Sequence, residues 1–182
     1  MIIRATTAVA AAFVLLLASP ALAELKAGAR APDFAAKGAL AGKPFSFSLK
    51  DALKKGPVVL YFYPKAFTQG CTLEAHAFAE ASDDFKAAGA TVIGMSNDKI
   101  ETLQKFSTEA CRDKFAVAAA TPQVIKSYDV ALKAVGIPTG LTKRTSYVIG
   151  RDGKIVMVHS EMDYRDHVKL TLAAVRKLAG AR

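Results

Sequence analysis

The chain carries two cysteines, Cys71 and Cys111, and three histidines, His76, His159 and His167. Of these, Cys71 stands where sulfur chemistry is favoured. It follows an unbroken apolar run, Val58 to Tyr63, with the composition of a strand covered on both faces. Pro64 ends that run, because proline has no amide proton to give to a ladder. Beyond Cys71, apolar or small residues recur every three to four positions (Ala75, Phe78, Ala81 or Ser82, Phe85), which predicts one buried helical stripe. A thiol is therefore expected in the first turn of a helix that leaves the end of a central strand. Unpaired amide groups and the positive end of the helix dipole favour thiolate over thiol at such a place, and the thiolate is the nucleophile.

Two cysteines also suffice for a structural disulfide, which would contribute about 4 kcal/mol through chain entropy. A catalytic disulfide would stabilise its oxidised form to the same extent, so energetics leave both uses open. There is no Cys-x-x-Cys pair of the thioredoxin kind. The histidines share no metal-ligand spacing with each other or with the cysteines, so neither a metal site nor a bound cofactor is expected. The formal charge is +9, but the lysines and arginines are scattered rather than clustered with aromatics. That pattern points away from nucleic acid and towards a solvated basic surface with some attraction to anionic envelope components.

The elements that must position Cys71 follow from the rest of the chain. Residues 1–23 read as a secretory signal peptide: Arg4 supplies the positive region, Ala8 to Ala18 the apolar core, and Ala21-Leu22-Ala23 a small-x-small cleavage site. A transmembrane anchor is the alternative, but the apolar run is shorter than the ~20 residues that a span requires. Cleavage implies a periplasmic or secreted protein in an oxidising compartment, with no stable membrane insertion afterwards. The remainder, residues 24–182, has the length of one domain.

Leu25 to Lys43 reads as a loop-rich lead-in, Pro44 to Leu49 as an edge strand of period two, and Lys50 to Lys55 as a turn or short helix. The Cys71 helix is expected to run on until Ala88-Gly89-Ala90 caps it. Thr91 to Ser96 is a second buried strand, Ile100 to Ala110 a helix and Phe115 to Ala119 a short strand. Pro122 opens a short helix holding Val124, Ile125 and Tyr128. Thr145 to Ile149 and Ile155 to His159 flank a turn cluster suited to a hairpin, and Val168, Leu172, Val175 and Leu178 stripe a C-terminal helix. The order βαβα followed by ββα predicts an α/β, thioredoxin-like fold: a central mixed sheet with helices on both faces.

Pro64, Thr68 and Cys71 spell P-x-x-x-T-x-x-C, which resembles the active-site motif of the peroxiredoxins. Ala31-Pro32-Asp33-Phe34 upstream and Arg144-Thr145-Ser146-Tyr147-Val148-Ile149-Gly150 downstream carry the resemblance from about Leu25 to Leu178. Gly70-Cys71-Thr72-Leu73-Glu74-Ala75 is similar to the G-C-T-x-E-A of the bacterioferritin-comigratory (Q-type) branch. The resemblance implies a thiol-dependent peroxidase, acting as monomer or dimer on hydrogen peroxide or organic hydroperoxides, with a thioredoxin-like or other thiol reductant. It implies Cys71 as peroxidatic nucleophile, Pro64 as its shield, Thr68 as a hydroxyl that orients the peroxide, and Arg144 as the cation that stabilises thiolate and leaving oxygen. Glu74 would orient Arg144 by the same resemblance, although a solvated helix acid is its other reading.

The chain departs from the branch at His76, where many members carry a resolving cysteine. Cys111 is then the remaining intramolecular resolver. A disulfide needs Cα atoms within ~7 Å, so a thiol on the next helix implies local unfolding of both cysteine segments. Two alternatives stand beside this one: a one-cysteine peroxidase served by an external thiol, and a non-catalytic binding module stapled by a Cys71–Cys111 disulfide.

Overall fold

The computed structural model describes residues 25–180; the signal peptide expected at 1–23 lies outside the described residues. The chain opens with an antiparallel hairpin, β1 (Ala35–Leu40) and β2 (Lys43–Ser48). Its turn residues Ala41 and Gly42 both have positive φ, 49° and 74°, the handedness that matches strand twist in a two-residue connection. Ser48 then caps α1 (Leu49–Lys55) by accepting from the Asp51 amide. After it come β3 (Val58–Phe62), α2 (Gln69–Glu80), α3 (Ser82–Ala87), β4 (Thr91–Ser96) and α4 (Ile100–Glu109). The chain continues through β5 (Ala116–Ala119), α5 (Pro122–Ser127), β6 (Ala131–Ala134), β7 (Ile137–Thr142), β8 (Thr145–Ile149), β9 (Ile155–Ser160) and α6 (His167–Gly180).

One seven-stranded sheet, in the order β2-β1-β5-β4-β3-β8-β9, organises the molecule. Strands β3, β4 and β5 are parallel, while β8 runs antiparallel to β3 and β9 to β8. The sheet is therefore mixed, as the sequence predicts. Side chains of β3 alternate between its faces. Val59 and Tyr61 pack with Phe78, Phe85, Leu103, Phe106 and Val175 from α2, α3, α4 and α6. Val58, Leu60 and Phe62 pack with Leu49, Ala52, Val124 and Ile125 from α1 and α5. Helices thus cover both faces, which is why every residue of β3 is buried. On the first face Tyr61 stacks on Phe78 with centroids 4.4 Å apart, an arrangement worth about 0.5–1.5 kcal/mol beyond its buried area. No helix among the described residues is long and apolar enough to cross a membrane.

Three features differ from the sequence pattern. The lead-in holds strand β1, whose Ala-Ala-Lys-Gly-Ala-Leu composition gives no β signal; pairing on both sides, with β2 and β5, makes it a strand. The Cys71 helix is interrupted at Ala81 (φ −83°, ψ 1°), where Ser82 turns its hydroxyl to the Lys114 carbonyl at 3.3 Å. Finally, β6 and β7 form a separate hairpin around Val135 and Gly136, both with positive φ. Valine is a poor residue for that conformation, so the turn carries none of the Asn-Gly or Asp-Gly signal by which such hairpins are recognised.

Candidate active site

The site is built where β3 ends and α2 begins. Tyr63 continues β3 by donating its amide to the Met95 carbonyl at 3.0 Å, and its own carbonyl accepts from Thr142 Oγ1 at 2.6 Å. Pro64, half-buried, turns the chain away from the sheet. The loop that follows is tied down from β4: Asp98 Oδ2 accepts from the Ala66 amide and from the Ser96 hydroxyl, each at 2.8 Å. Phe67 occupies the left-handed region (φ 64°) and sets its ring edge-on to Phe106 of α4. A non-glycine residue there is strained, and such strain collects at functional loops.

Thr68 is the N-cap of α2, and its Oγ1 donates to the Lys65 carbonyl at 3.0 Å. It caps through its backbone, its carbonyl accepting from the Thr72 amide at 2.9 Å. Cys71, the third helical residue, is 2% exposed. The amides of Gln69, Gly70 and Cys71 precede that first helical hydrogen bond and present the positive end of α2 to the sulfur.

Arg144 reaches the same point from the start of β8. Thr145, its neighbour, pairs with Phe62, so the register of β3 with β8 brings Arg144 to the end of β3 that carries Pro64. Arg144 is only 4% exposed, and its guanidinium is held in three directions. Nη2 donates to Cys71 Sγ at 3.5 Å, Nε donates to the Met162 carbonyl at 2.9 Å, and Nη1 donates to Glu74 Oε2. Gly70 leaves room for it: a Cβ there would meet Nη2 at 3.3 Å. Glu74 lies one turn beyond Cys71, fully buried, and burial pushes its carboxyl up to about 8 against the opposing pull of Arg144.

Of the six residues that the sequence singles out, the structure gathers Cys71, Arg144 and Glu74 into direct contact. Pro64 and Thr68 frame the loop that leads to them. Cys111 sits beyond the end of α4, wholly buried in the same core cluster as Cys71, and both thiols are free. Its amide donates to the Phe106 carbonyl at 3.0 Å, and Arg112 and Asp113 after it have φ of 50° and 58°. Burial, helped by the Asp113 charge, pushes the Cys111 thiol well up. No cluster of metal-binding side chains occurs among the described residues.

The chemistry this geometry can perform is that of a buried sulfur activated by a helix terminus and a fixed guanidinium. The AhpC/TSA family model matches residues 27–158, nearly all of the sheet together with the Cys71 loop, Cys111 and Arg144. The chain belongs to the AhpC/TSA family. It is a peroxiredoxin, a thiol-dependent peroxidase of the thioredoxin-like fold. The peroxiredoxin Q of Sedum lineare, a chloroplast protein, is 31% identical over 86% of this chain and 81% of its own. The peroxiredoxin Bcp of Escherichia coli K12 is 32% identical over 63% of this chain and 75% of its own. Among solved structures, the peroxidoxin BcpB of Mycobacterium tuberculosis superposes with a TM-score of 0.75 at 31% identity, covering 85% of this chain and 99% of that one.

This peroxiredoxin also places residues at the site that sequence reasoning passes over. Asp98 lies two residues beyond the end of strand β4, and loops at the carboxyl ends of parallel strands are where α/β folds build sites; its position was the available signal. His167 begins α6 and is wholly buried. Its Nε2 lies 3.0 Å from the Glu161 carbonyl and its Nδ1 2.8 Å from Ser146 Oγ. Burial pushes the imidazole down to about 4, so the ring is neutral at pH 7. A histidine one residue ahead of an apolar stripe is a weak signal, and spacing rules directed at metals do not reach it.

Proposed function

We propose that Cys71 is the peroxidatic cysteine and that the enzyme reduces hydrogen peroxide or organic hydroperoxides through it. The observation that carries this reading is Arg144 Nη2 donating to Cys71 Sγ in the first turn of α2. The thiolate attacks the terminal oxygen of the peroxide, a sulfur–oxygen bond forms, and the O–O bond breaks. Cys71 becomes a sulfenic acid, and the leaving oxygen takes up a proton and departs as water or an alcohol. Arg144 faces the negative charge as it moves from sulfur to oxygen. Thr68, whose hydroxyl donates to the Lys65 carbonyl and keeps its lone pairs free to accept from the peroxide, orients the substrate, and Pro64 screens the sulfur from water.

In the second half-reaction Cys111 attacks the Cys71 sulfur, water leaves and an intramolecular disulfide forms, which a thioredoxin-like dithiol then reduces by exchange. With Cys71 only 2% exposed and Cys111 wholly buried, the Cys71 loop and the end of α4 must open first. The same burial, with the Cys111 thiol pushed well up, favours a second reading in which an external thiol reduces the sulfenic acid directly. The signal-like composition of residues 1–23 supports export to the periplasm or beyond, with the domain beginning near Glu24; cell fractionation and N-terminal sequencing of the recovered protein test both points.

The central test is Cys71→Ser, which is expected to abolish peroxide consumption while leaving the circular dichroism spectrum and melting temperature close to wild type. Activity near wild type in that variant would overturn the assignment. Peptide mapping after one equivalent of peroxide separates the two resolving routes. A Cys71–Cys111 disulfide supports the first; sulfenic Cys71 with Cys111 free supports the second.

A further inference from the structure

Glu74 Oε2 accepts from Arg144 Nη1, but Oε1 is buried and has no hydrogen-bond partner. His167 Nδ1 lies 3.8 Å from it, with both side chains fully buried. The tautomer of that ring follows from its other side. A carbonyl only accepts, so Nε2 must carry the proton that faces Glu161, and Nδ1 holds a lone pair. If Glu74 were a carboxylate, Oε1 would be a fully buried acceptor without a donor, facing a second acceptor, Nδ1, whose lone pair the Ser146 hydroxyl already serves. Such an arrangement costs the full desolvation of an unpaired buried acceptor. A proton on Oε1 removes the conflict, because it can donate to Nδ1 once the carboxyl turns about its last bond, sharing the lone pair with the Ser146 hydroxyl or displacing it.

We propose that Glu74 is a neutral carboxylic acid at physiological pH and that His167 is a positioning residue that accepts a hydrogen bond from it. Arg144 is thereby aimed at Cys71 without being neutralised on the way. The neutral carboxyl keeps its carbonyl oxygen on Arg144 Nη1, so the guanidinium stays oriented, while its full positive charge is left for the sulfur. Burial supports the assignment from both sides, pushing Glu74 up to about 8 and His167 down to about 4. The ionisable and charged groups around the pair are Cys71 on α2, Tyr61 on β3, whose buried phenol feels the Glu74 charge, Arg144 at the start of β8, His159 on β9, whose ring lies 4.5 Å from that of His167, and Asp163 in the segment before α6. Ser146 of β8, opposite His159 in the β8–β9 register, competes for Nδ1 through its hydroxyl. The C-terminal helix, remote in sequence from the cysteine loop, is in this way part of the peroxidase machinery. The inference rests on the proposed role of Cys71 only for its kinetic readout.

Two measurements on the reduced full-length protein test it. Infrared difference spectroscopy at pH 7 is expected to show the carbonyl band of a protonated carboxylic acid, lost in Glu74→Gln and shifted in His167→Phe. Absence of that band in wild type overturns the proposal whether or not the protein turns over peroxide. In stopped-flow kinetics the wild-type peroxide rate is expected to fall as pH rises past Glu74 ionisation, when a carboxylate begins to neutralise Arg144. That alkaline fall should vanish in Glu74→Gln. His167→Phe should move it to lower pH and reduce the rate at pH 7 on the order of tenfold. Where His167→Phe does not fold, Ser146→Ala serves: Nδ1 loses its competing hydroxyl, holds the Glu74 proton better, and moves the fall to higher pH. An alkaline fall that persists in Glu74→Gln, or stays in place in both other variants, overturns the proposal. A wild-type protein that consumes no peroxide but shows the acid band would refute the peroxidase role of Cys71 and leave the Glu74 proton standing.

Discussion

Replacing Arg144 by alanine removes three hydrogen bonds and the positive charge that faces Cys71. Opposite unit charges 3.5 Å apart, the Nη2–Sγ separation, interact by roughly 5 kcal/mol at an effective dielectric of ~20. Only part of this acts on the rate, because the negative charge that begins on sulfur is still present, shared with oxygen, in the transition state. Loss of one fixed donor to a developing oxyanion costs about 3 kcal/mol, or roughly a hundredfold, and that is the reduction expected for Arg144→Ala. Arg144→Lys should recover a small part of it, since one ammonium cannot serve the Met162 carbonyl, Glu74 and Sγ from their three directions. The assay is single-turnover oxidation of pre-reduced protein by excess hydrogen peroxide in a stopped-flow instrument. Iodoacetamide alkylation of Cys71 at the same pH should slow in parallel, since it reads thiolate without any peroxide chemistry. A folded Arg144→Ala protein whose oxidation and alkylation rates both stay within about twofold of wild type would refute the reasoning, because no screened contact of that geometry is worth so little.

The remaining predictions concern the surroundings of that contact. Gly70→Ala places a Cβ 3.3 Å from Nη2; displacing the guanidinium by a few tenths of an ångström should slow single-turnover oxidation by on the order of threefold to tenfold with little change in melting temperature. Cys111→Ser should be oxidised once at the wild-type rate and then stall, accumulating sulfinic Cys71 unless a small thiol is supplied; steady turnover with a dithiol reductant alone would exclude Cys111 as resolver. Stability should depend on pH with a definite sign. The fold holds the Glu74 proton up to about pH 8 against an ordinary value of 4.5, so its contribution is complete at low pH and is lost as pH rises through that window. His167, lowered from 6.5 to about 4, acts oppositely and loses its contribution as pH falls through that range. Between pH 6.5 and 8 Glu74 acts without that opposition, and the urea midpoint should decline across that interval in wild type and stay flat in Glu74→Gln.

The sheet's central strands and the helix from Cys71 were legible because their burial is two-sided or stripe-like, and hydrophobic pattern reports burial directly. Strand β1 was not, because Ala35 to Leu40 owe their conformation to partners on either side, and no local property of the segment records them. The same division runs through the site. Cys71 was legible from its local frame of strand, proline and helix start, and Arg144 from a motif. His167 and Asp98 were not, because each acts through a tertiary contact, with Ser146 and beside Glu74 in one case and on the Ala66 amide in the other. Glu74 lies between these cases. Its spacing from Cys71 places it on the inner side of the helix, but only the meeting of α2, β8 and α6 decides that it is enclosed rather than solvated.

The concealment of Cys111 has a consequence measured in time. On the proposed route through Cys111, a sulfur with no exposed surface can meet a sulfenic acid only as often as the fold opens, so the lifetime of oxidised Cys71 would be set by an opening frequency that peroxide does not alter. A second peroxide reaches the same sulfenic acid at a rate proportional to its concentration. The two processes form a race with a crossing point. Below that concentration each turnover would close into a disulfide; above it, a growing fraction of molecules would be driven to the sulfinic state and retired. Where the crossing falls would then be decided at the end of α4, by the backbone bond from Cys111 to Phe106 and the two left-handed residues behind it, rather than by the residues around the Cys71 sulfur.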